Sequence, residues 1–248
     1  MSDCMEQIIS VFAFPVNLVL ALAWVAVCRF LWTNARDSSP VKFLLSPSAT
    51  FTSIGAFLLS CIWIGISGDR AFAHSVFFII VLIYLQTVLL LVLFRGWKNR
   101  TGNVRYRFVL NHAGLLLALS SAFWGNPDNE QLRMKLEPGQ VSREAFRMDG
   151  TRTWLKEEIQ LISLNCTTYD DGAPMQYSAE VMIGDDVTTI EVNHPYTSGL
   201  SKDIYLTSVK EGECVLEIVR EPWKYFALAG IIMMLAGAFL LFIKGPWS

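Results

Sequence analysis

Residues 107–126, RFVLNHAGLLLALSSAFWGN, constrain this chain more than any other stretch. The run is just long enough to cross a bilayer, and a long polar segment follows it at once. Asn111 and His112 stand near its start, and an ionisable residue inside a membrane helix is costly enough to mark a functional position by default. The run also divides the chain, with apolar helices before it and an extramembrane domain after it.

Four further runs meet the same criterion of roughly 18 or more apolar residues with few charges. They cover residues 10–32, 49–67, 72–94 and 225–243, and the run under discussion supplies residues 108–124. Pro15 is tolerated in the first, because neighbouring helices can satisfy the freed backbone group. His74 and Gln86 lie in the third. The loop TNARDSSPVKFLLSPS, after the first run, is rich in turn formers. The N-terminus has no basic n-region and no small-residue cleavage site, so the first helix is expected to be retained. A hydrophobic share of 53% and a mean hydropathy of +0.40 agree with a membrane protein.

Five crossings put the termini on opposite sides. Arg95, Lys98, Arg100, Arg105 and Arg107 cluster between the third and fourth runs, and the positive-inside rule makes that loop cytoplasmic. Arg36, Lys42 and Lys244 then also fall inside, residues 125–222 fall outside, and only Arg70 is on the wrong side. The expected fold is therefore a multi-span α-helical membrane protein with an extracytoplasmic antiparallel β-domain between its last two helices. Residues 1–124 carry four helices, 125–222 the β-domain, and 223–248 the closing helix.

The β-domain is read from short, partly alternating, β-branched segments: EEIQLISLNC, QYSAEVMIG, VTTIEVNH, DIYLTSV and ECVLEIVRE. Turn chemistry separates them, in DDGAP, GDD, PYTSGLSKD and KEGE. Nothing resembles a basic patch interleaved with aromatics, so a nucleic-acid partner is not expected. The five cysteines have no metal-ligand spacing. Cys166 and Cys214 are the two in the external segment, beside predicted strands, and an oxidising compartment would permit a disulfide between them. Cys28 and Cys61 lie in spans as packing residues. Asp170–Asp171 and Asp185–Asp186 each flank a glycine turn and read as solvated loop residues rather than catalytic pairs. No Ser/His/Asp order or phosphate loop occurs. Gly230 and Gly237, with Ala229, Ala236 and Ala238, give the last helix small side chains for close packing against a partner or the earlier spans.

Three stretches and their order carry a family resemblance. NHAGLLL enters a helix just before the external domain, VNHPYTSGLSKDIYLTS contains an Asn-His-Pro turn, and REPWKYFALAGIIMMLAGAFLLF leaves the domain into a Gly-containing final helix. In these, and in the layout of several helices, an external β-domain and one closing helix, the chain resembles the ResB/CcsB family of system II cytochrome c biogenesis proteins. The likeness covers roughly residues 107–244. The chain departs from the longer members in its small external domain and an additional upstream helix. It also lacks the Trp-rich external haem motif, which in the family belongs to the CcsA-type partner or a fused second half.

The resemblance implies half of a haem export and attachment machine in a bacterial inner membrane. With a CcsA-type partner, it would carry b-type haem, transiently bound, outward to the thiols of a CxxCH apocytochrome c. This chain alone would not be an enzyme. It implies His112, with Asn111 beside it, as the haem site, His112 giving one axial ligand to iron and the partner the other. From the residues alone, His112 reads more readily as an interfacial histidine bonded to Asn111 or a neighbouring helix, and the resemblance brings the ligand reading level with it. His74 and His194 are secondary candidates: His74 reads as interfacial, and His194 as fixing a turn before Pro195. The rival reading is a membrane-anchored sensor or assembly subunit whose β-domain binds a protein.

Overall fold

The computed structural model describes residues 11–68, 72–73, 75–98, 102–210 and 212–244. They form two compact units, one around residues 128–223 and one joining residues 12–127 to residues 224–248. His74 lies outside the described residues.

The helical unit contains α1 (Val16–Asn34), the short α2 (Ser39–Leu44), α3 (Pro47–Ser67), α4 (Val76–Gly96), α5 (Tyr106–Trp124) and α6 (Lys224–Lys244). Their starts follow local chemistry. Pro15 precedes α1 rather than interrupting it. Ser46 and Ser75 cap α3 and α4, each hydroxyl accepting an amide hydrogen bond three residues on. The segment expected as a plain loop contains α2, with Pro40 in its first turn, where a missing N–H costs nothing.

Among the described residues, four helices are long and apolar enough to cross a membrane: α1, α3, α4 and α6. The sequence predicts five crossings, and the fifth, α5, is a helix of 19 residues that is not among the four. Arg107, Asn111 and His112 near its start lower its hydropathy. Many large apolar side chains point outward from this unit, among them Phe51, Ile66 and Phe242 at 76%, 81% and 89% exposed. Surface of that kind is at home in lipid, not water.

The second unit is one eight-stranded antiparallel sheet: β1 (Glu130–Leu136), β2 (Val141–Arg147), β3 (Arg152–Thr168), β4 (Pro174–Ile183), β5 (Asp186–Glu191), β6 (Tyr196–Ser198), β7 (Lys202–Lys210) and β8 (Glu213–Arg220). Its order is β5-β4-β3-β2-β1-β8-β7-β6. The sheet rolls up so that β5 comes against β7 across the seam. Period-2 alternation fills the inside of the roll: Leu132, Met134 and Leu136 from β1, Ile159 and Leu161 from β3, Ile204 and Leu206 from β7, Leu216 and Ile218 from β8. Deleting one such side chain to alanine typically costs about 2–5 kcal/mol.

Entry and exit strands are neighbours, with Glu130 opposite Arg220. Trp223 Nε1 donates to Asp128 Oδ2 at 2.6 Å and ties the two ends of the domain together. That closure explains how a β-domain can be inserted between two helices. At the β4–β5 hairpin, Ile183 pairs with Asp186, so the loop has two residues, and Gly184 supplies the positive φ of 60° that such a turn needs.

The expected disulfide is absent. Cys166 and Cys214 are both free thiols, the first exposed on β3 and the second buried on β8. Strands β2 and β1 separate β3 from β8. Three steps of about 4.8 Å put the cysteines on the order of 14 Å apart, beyond the roughly 7 Å that a bridge can span.

Candidate functional site

His112 is the seventh residue of α5, about 9 Å along the axis from the helix start. Its Nδ1 lies 2.8 Å from the Phe108 carbonyl oxygen, one turn back. A carbonyl only accepts, so Nδ1 carries the proton and donates, and the Nε2 lone pair is left for another partner. The ring is half-buried and stacks on Phe108, with centroids 4.0 Å apart and planes 26° from parallel. The Arg105 guanidinium lies 4.8 Å from the Phe108 ring centroid, and its Nη1 also donates to the Gly96 carbonyl at 3.4 Å. Phe108 lies so close to Gly96 that any side chain there would collide with the ring. Phe108 thus fixes the imidazole plane by stacking and its tautomer through the carbonyl, with Arg105 against the same phenylalanine ring.

Asn111 does not bond His112. Its Nδ2 donates to the Arg107 carbonyl at 2.9 Å, and its side chain packs on Gly237 of α6, where a methyl group would come within 2.5 Å of Nδ2. One turn along, Gly114 and Gly230 meet backbone to backbone. A methyl at Gly114 would lie 2.7 Å from the Gly230 carbonyl oxygen, and one at Gly230 would lie 2.6 Å from the Gly114 oxygen. The small face of α6 is therefore spent on α5 within this chain. Phe108 and Gly114 were not singled out in the sequence, although Phe108 stands four residues before His112 and Gly114 three after Asn111, both at helical spacing.

Polar side chains also bind α5 to the other helices. Ser120 Oγ donates to Gln86 Oε1 at 3.1 Å, and Gln86 is fully buried on α4. Asn17 Nδ2 of α1 donates to the Trp124 carbonyl at 2.8 Å, and α1 is tied in turn to α4 by Trp24 Nε1, which donates to Thr87 Oγ1 at 3.1 Å. The helix carrying His112 is held at both ends.

The other described candidates belong to the β unit. His194 is exposed in a turn where its amide donates to the Glu191 carbonyl at 3.0 Å, and Asn193 takes the positive φ of 68° that the turn's third position requires. Beside that turn is an open groove lined by Asn193, Tyr205, Thr207, Glu217 and Glu221. Asp170, Asp171 and Asp185 are exposed turn residues, and Asp186 is the exposed first residue of β5. Among the described residues no group of three or more His, Cys, Asp or Glu is placed to hold a metal ion. His112 therefore offers a single nitrogen ligand, with its second ring nitrogen oriented by a carbonyl, the usual arrangement behind a metal-bound histidine.

No family model matches the sequence, and no curated protein matches it. Among solved structures, the chain is similar to one described as cytochrome c heme lyase CcmF, at 12% identity and a TM-score of 0.38. The match covers 79% of this chain and 34% of that one, so the chain spans about a third of its length. A superposition that loose carries no argument about fold or function.

Proposed function

We propose that this chain is the ResB/CcsB-like half of a cytochrome c biogenesis complex, which passes haem outward with a CcsA-type partner and supports its attachment to apocytochrome c. The observation that carries the reading is the ring of His112. Its Nδ1–H is committed to the Phe108 carbonyl, the stacked Phe108 ring holds its plane, and Nε2 is free to ligate iron. Haem is the cargo here, and this chain's contribution is one axial nitrogen in a low-dielectric helix surface. A six-coordinate iron needs a second ligand from the partner. Hydrogen bonding through Nδ1 raises the basicity of Nε2, which strengthens such a bond. Residues of the β-domain are proposed to lie outside the cytoplasm, where the apocytochrome thiols meet haem at the partner's Trp-rich motif.

The test is His112→Ala in the complex co-purified with its partner. Loss of haem or a changed absorption spectrum is expected, with a fall in holocytochrome c. Added imidazole should restore part of both, because it supplies the missing nitrogen. His112→Gln keeps a hydrogen-bonding group but not the imidazole ligand, and should behave like the alanine variant. A normal haem spectrum in both variants would overturn the assignment. A colourless wild-type complex would favour a sensor or assembly subunit instead.

A further inference from the structure

The sheet has an edge that no other strand pairs with among the described residues. Strand β3 has 17 residues and β2 has 7, and their pairing ends where Val141 faces Gln160. The Gly139 amide donates to the Leu161 carbonyl at 2.7 Å, and the Leu161 amide to Gln140 at 3.3 Å. Beyond that point residues 162–168 pair with β4 alone, from Ser163 opposite Glu180 to Thr168 opposite Pro174. No further backbone hydrogen bond reaches their other side among the described residues. A row of extended donors and acceptors is left open.

Proteins normally protect such an edge with charge, proline, a bulge or brevity, because it is a template for another strand. The other two edges here are protected. Strand β5 begins and ends on carboxylates, Asp186 and Glu191, and β6 has only three residues. The run Ile162-Ser163-Leu164-Asn165-Cys166-Thr167-Thr168 has no charge, no proline and no glycine, and its register on β4 shifts only at its two ends, between Leu161 and Ser163 and between Thr167 and Thr168. Its inward-facing side continues the core outward. Leu164 pairs with Ala179 and Cys166 with Tyr177, and Leu164 and Tyr177 pack against the core, while Cys166 and Met175 further out are exposed. At the far end of the hairpin stand two exposed carboxylates, Asp170 and Asp171.

We propose that residues 162–168 dock an extended segment of another protein by strand addition. The added strand runs antiparallel to β3, in line with β2, and its backbone completes the open row of hydrogen bonds. Its alternate apolar side chains cover Leu164, Cys166 and Met175. Its first residues reach the Asp170–Asp171 end, so the matching segment is uncharged along about seven residues and begins with a lysine or arginine. Main-chain bonds supply the affinity and the alternate side chains the selectivity in this mode of recognition. The inference is independent of haem and stands or falls apart from His112.

Hydrogen exchange of the full chain in detergent micelles tests it, with the synthetic peptide Lys-Val-Thr-Val-Thr-Val-Thr as probe. In the chain alone, half of the amides in residues 162–168 should exchange quickly. Saturating peptide should slow them by about tenfold or more, as strand addition requires. The same peptide N-methylated at alternate residues should give no protection, and replacing its lysine with glutamate should weaken binding. Cys166→Lys, a charge on the exposed edge, should abolish protection while leaving β4 and β8 amides slow. The proposal is overturned if the edge is already protected in the chain alone, if the N-methylated peptide protects equally, or if no peptide protects. Protection that rises with the chain's own concentration would also overturn it, by making a second copy the occupant.

Discussion

Two cysteines of the β-domain differ in a way that chemistry can read. Burial pushes the Cys214 thiol up to about 11, while Cys166 stands exposed at the open edge of β3. An ordinary thiol ionises near about 8.5, so folded Cys214 keeps its proton over a pH range in which the unfolded chain loses it. The folded state then binds more protons, and stability falls as pH rises. The contribution is complete below about pH 8.5 and is lost as pH rises through about 11. Denaturant midpoints measured across that range should decline in the wild type and decline less in Cys214→Ala. A membrane-impermeant maleimide at neutral pH should label Cys166 in the native chain, and Cys214 only after unfolding. A native chain in which neither thiol, or both, react would contradict this placement.

At the scale of elements, α5 and α6 meet through glycine. Gly114 and Gly230 leave no room for a methyl group, and the atom it would strike is backbone carbonyl oxygen, which no rotamer change can move aside. Gly230→Ala should therefore push the helices apart and lower the thermal midpoint in micelles. Overpacking of this kind typically costs about 1–3 kcal/mol. Gly237→Ala strikes Asn111 instead, a side chain that can be shortened, so Asn111→Ala should rescue Gly237→Ala and leave Gly230→Ala unrescued. Equal rescue of both would refute the pairing. The small face of α6 was legible in the sequence, but its target was not, because nothing in a one-dimensional pattern says which helix fills it. The β-domain was legible in outline from its β-branched segments, while β1 and β2 were missed. Their signal was present: Leu132, Met134 and Leu136 alternate strictly with Gln131, Arg133 and Lys135. The high charge of those two strands hid it, since the charges face outward and pair, Arg133 with Glu217 and Arg143 with Glu158. Neither sequence nor spacing could reveal that Cys166 and Cys214 are separated by two intervening strands.

For the whole molecule, the open quantity is the number of crossings, and it turns on α5. Four helices are long and apolar enough to cross, and α5 falls short of them through the polar residues around His112. The rest of α5 compensates, because its polar groups are engaged: Asn111 and His112 return their donors to carbonyls of the previous turn, and Ser120 bonds the buried Gln86. A helix that returns such donors to its own carbonyls lies in hydrocarbon at a lower cost than one that leaves them open. The basic residues Arg95, Lys98, Arg105 and Arg107 precede it and favour the cytoplasmic side. With α5 crossing, the chain passes the membrane five times and residues 125–222 fall outside. Without it, the same residues fall on the side of the basic loop. Reporter fusions at Asn103 and Asn129 separate the two cases, and opposite sides are expected. Moving the charge should move the outcome: replacing Arg95, Lys98, Arg105 and Arg107 by glutamine should give mixed orientation, because the positive residues, and not acidic ones, set it. If both fusions report the same side in the wild type, α5 does not cross, and the place proposed for the β-domain beside apocytochrome c is lost with it.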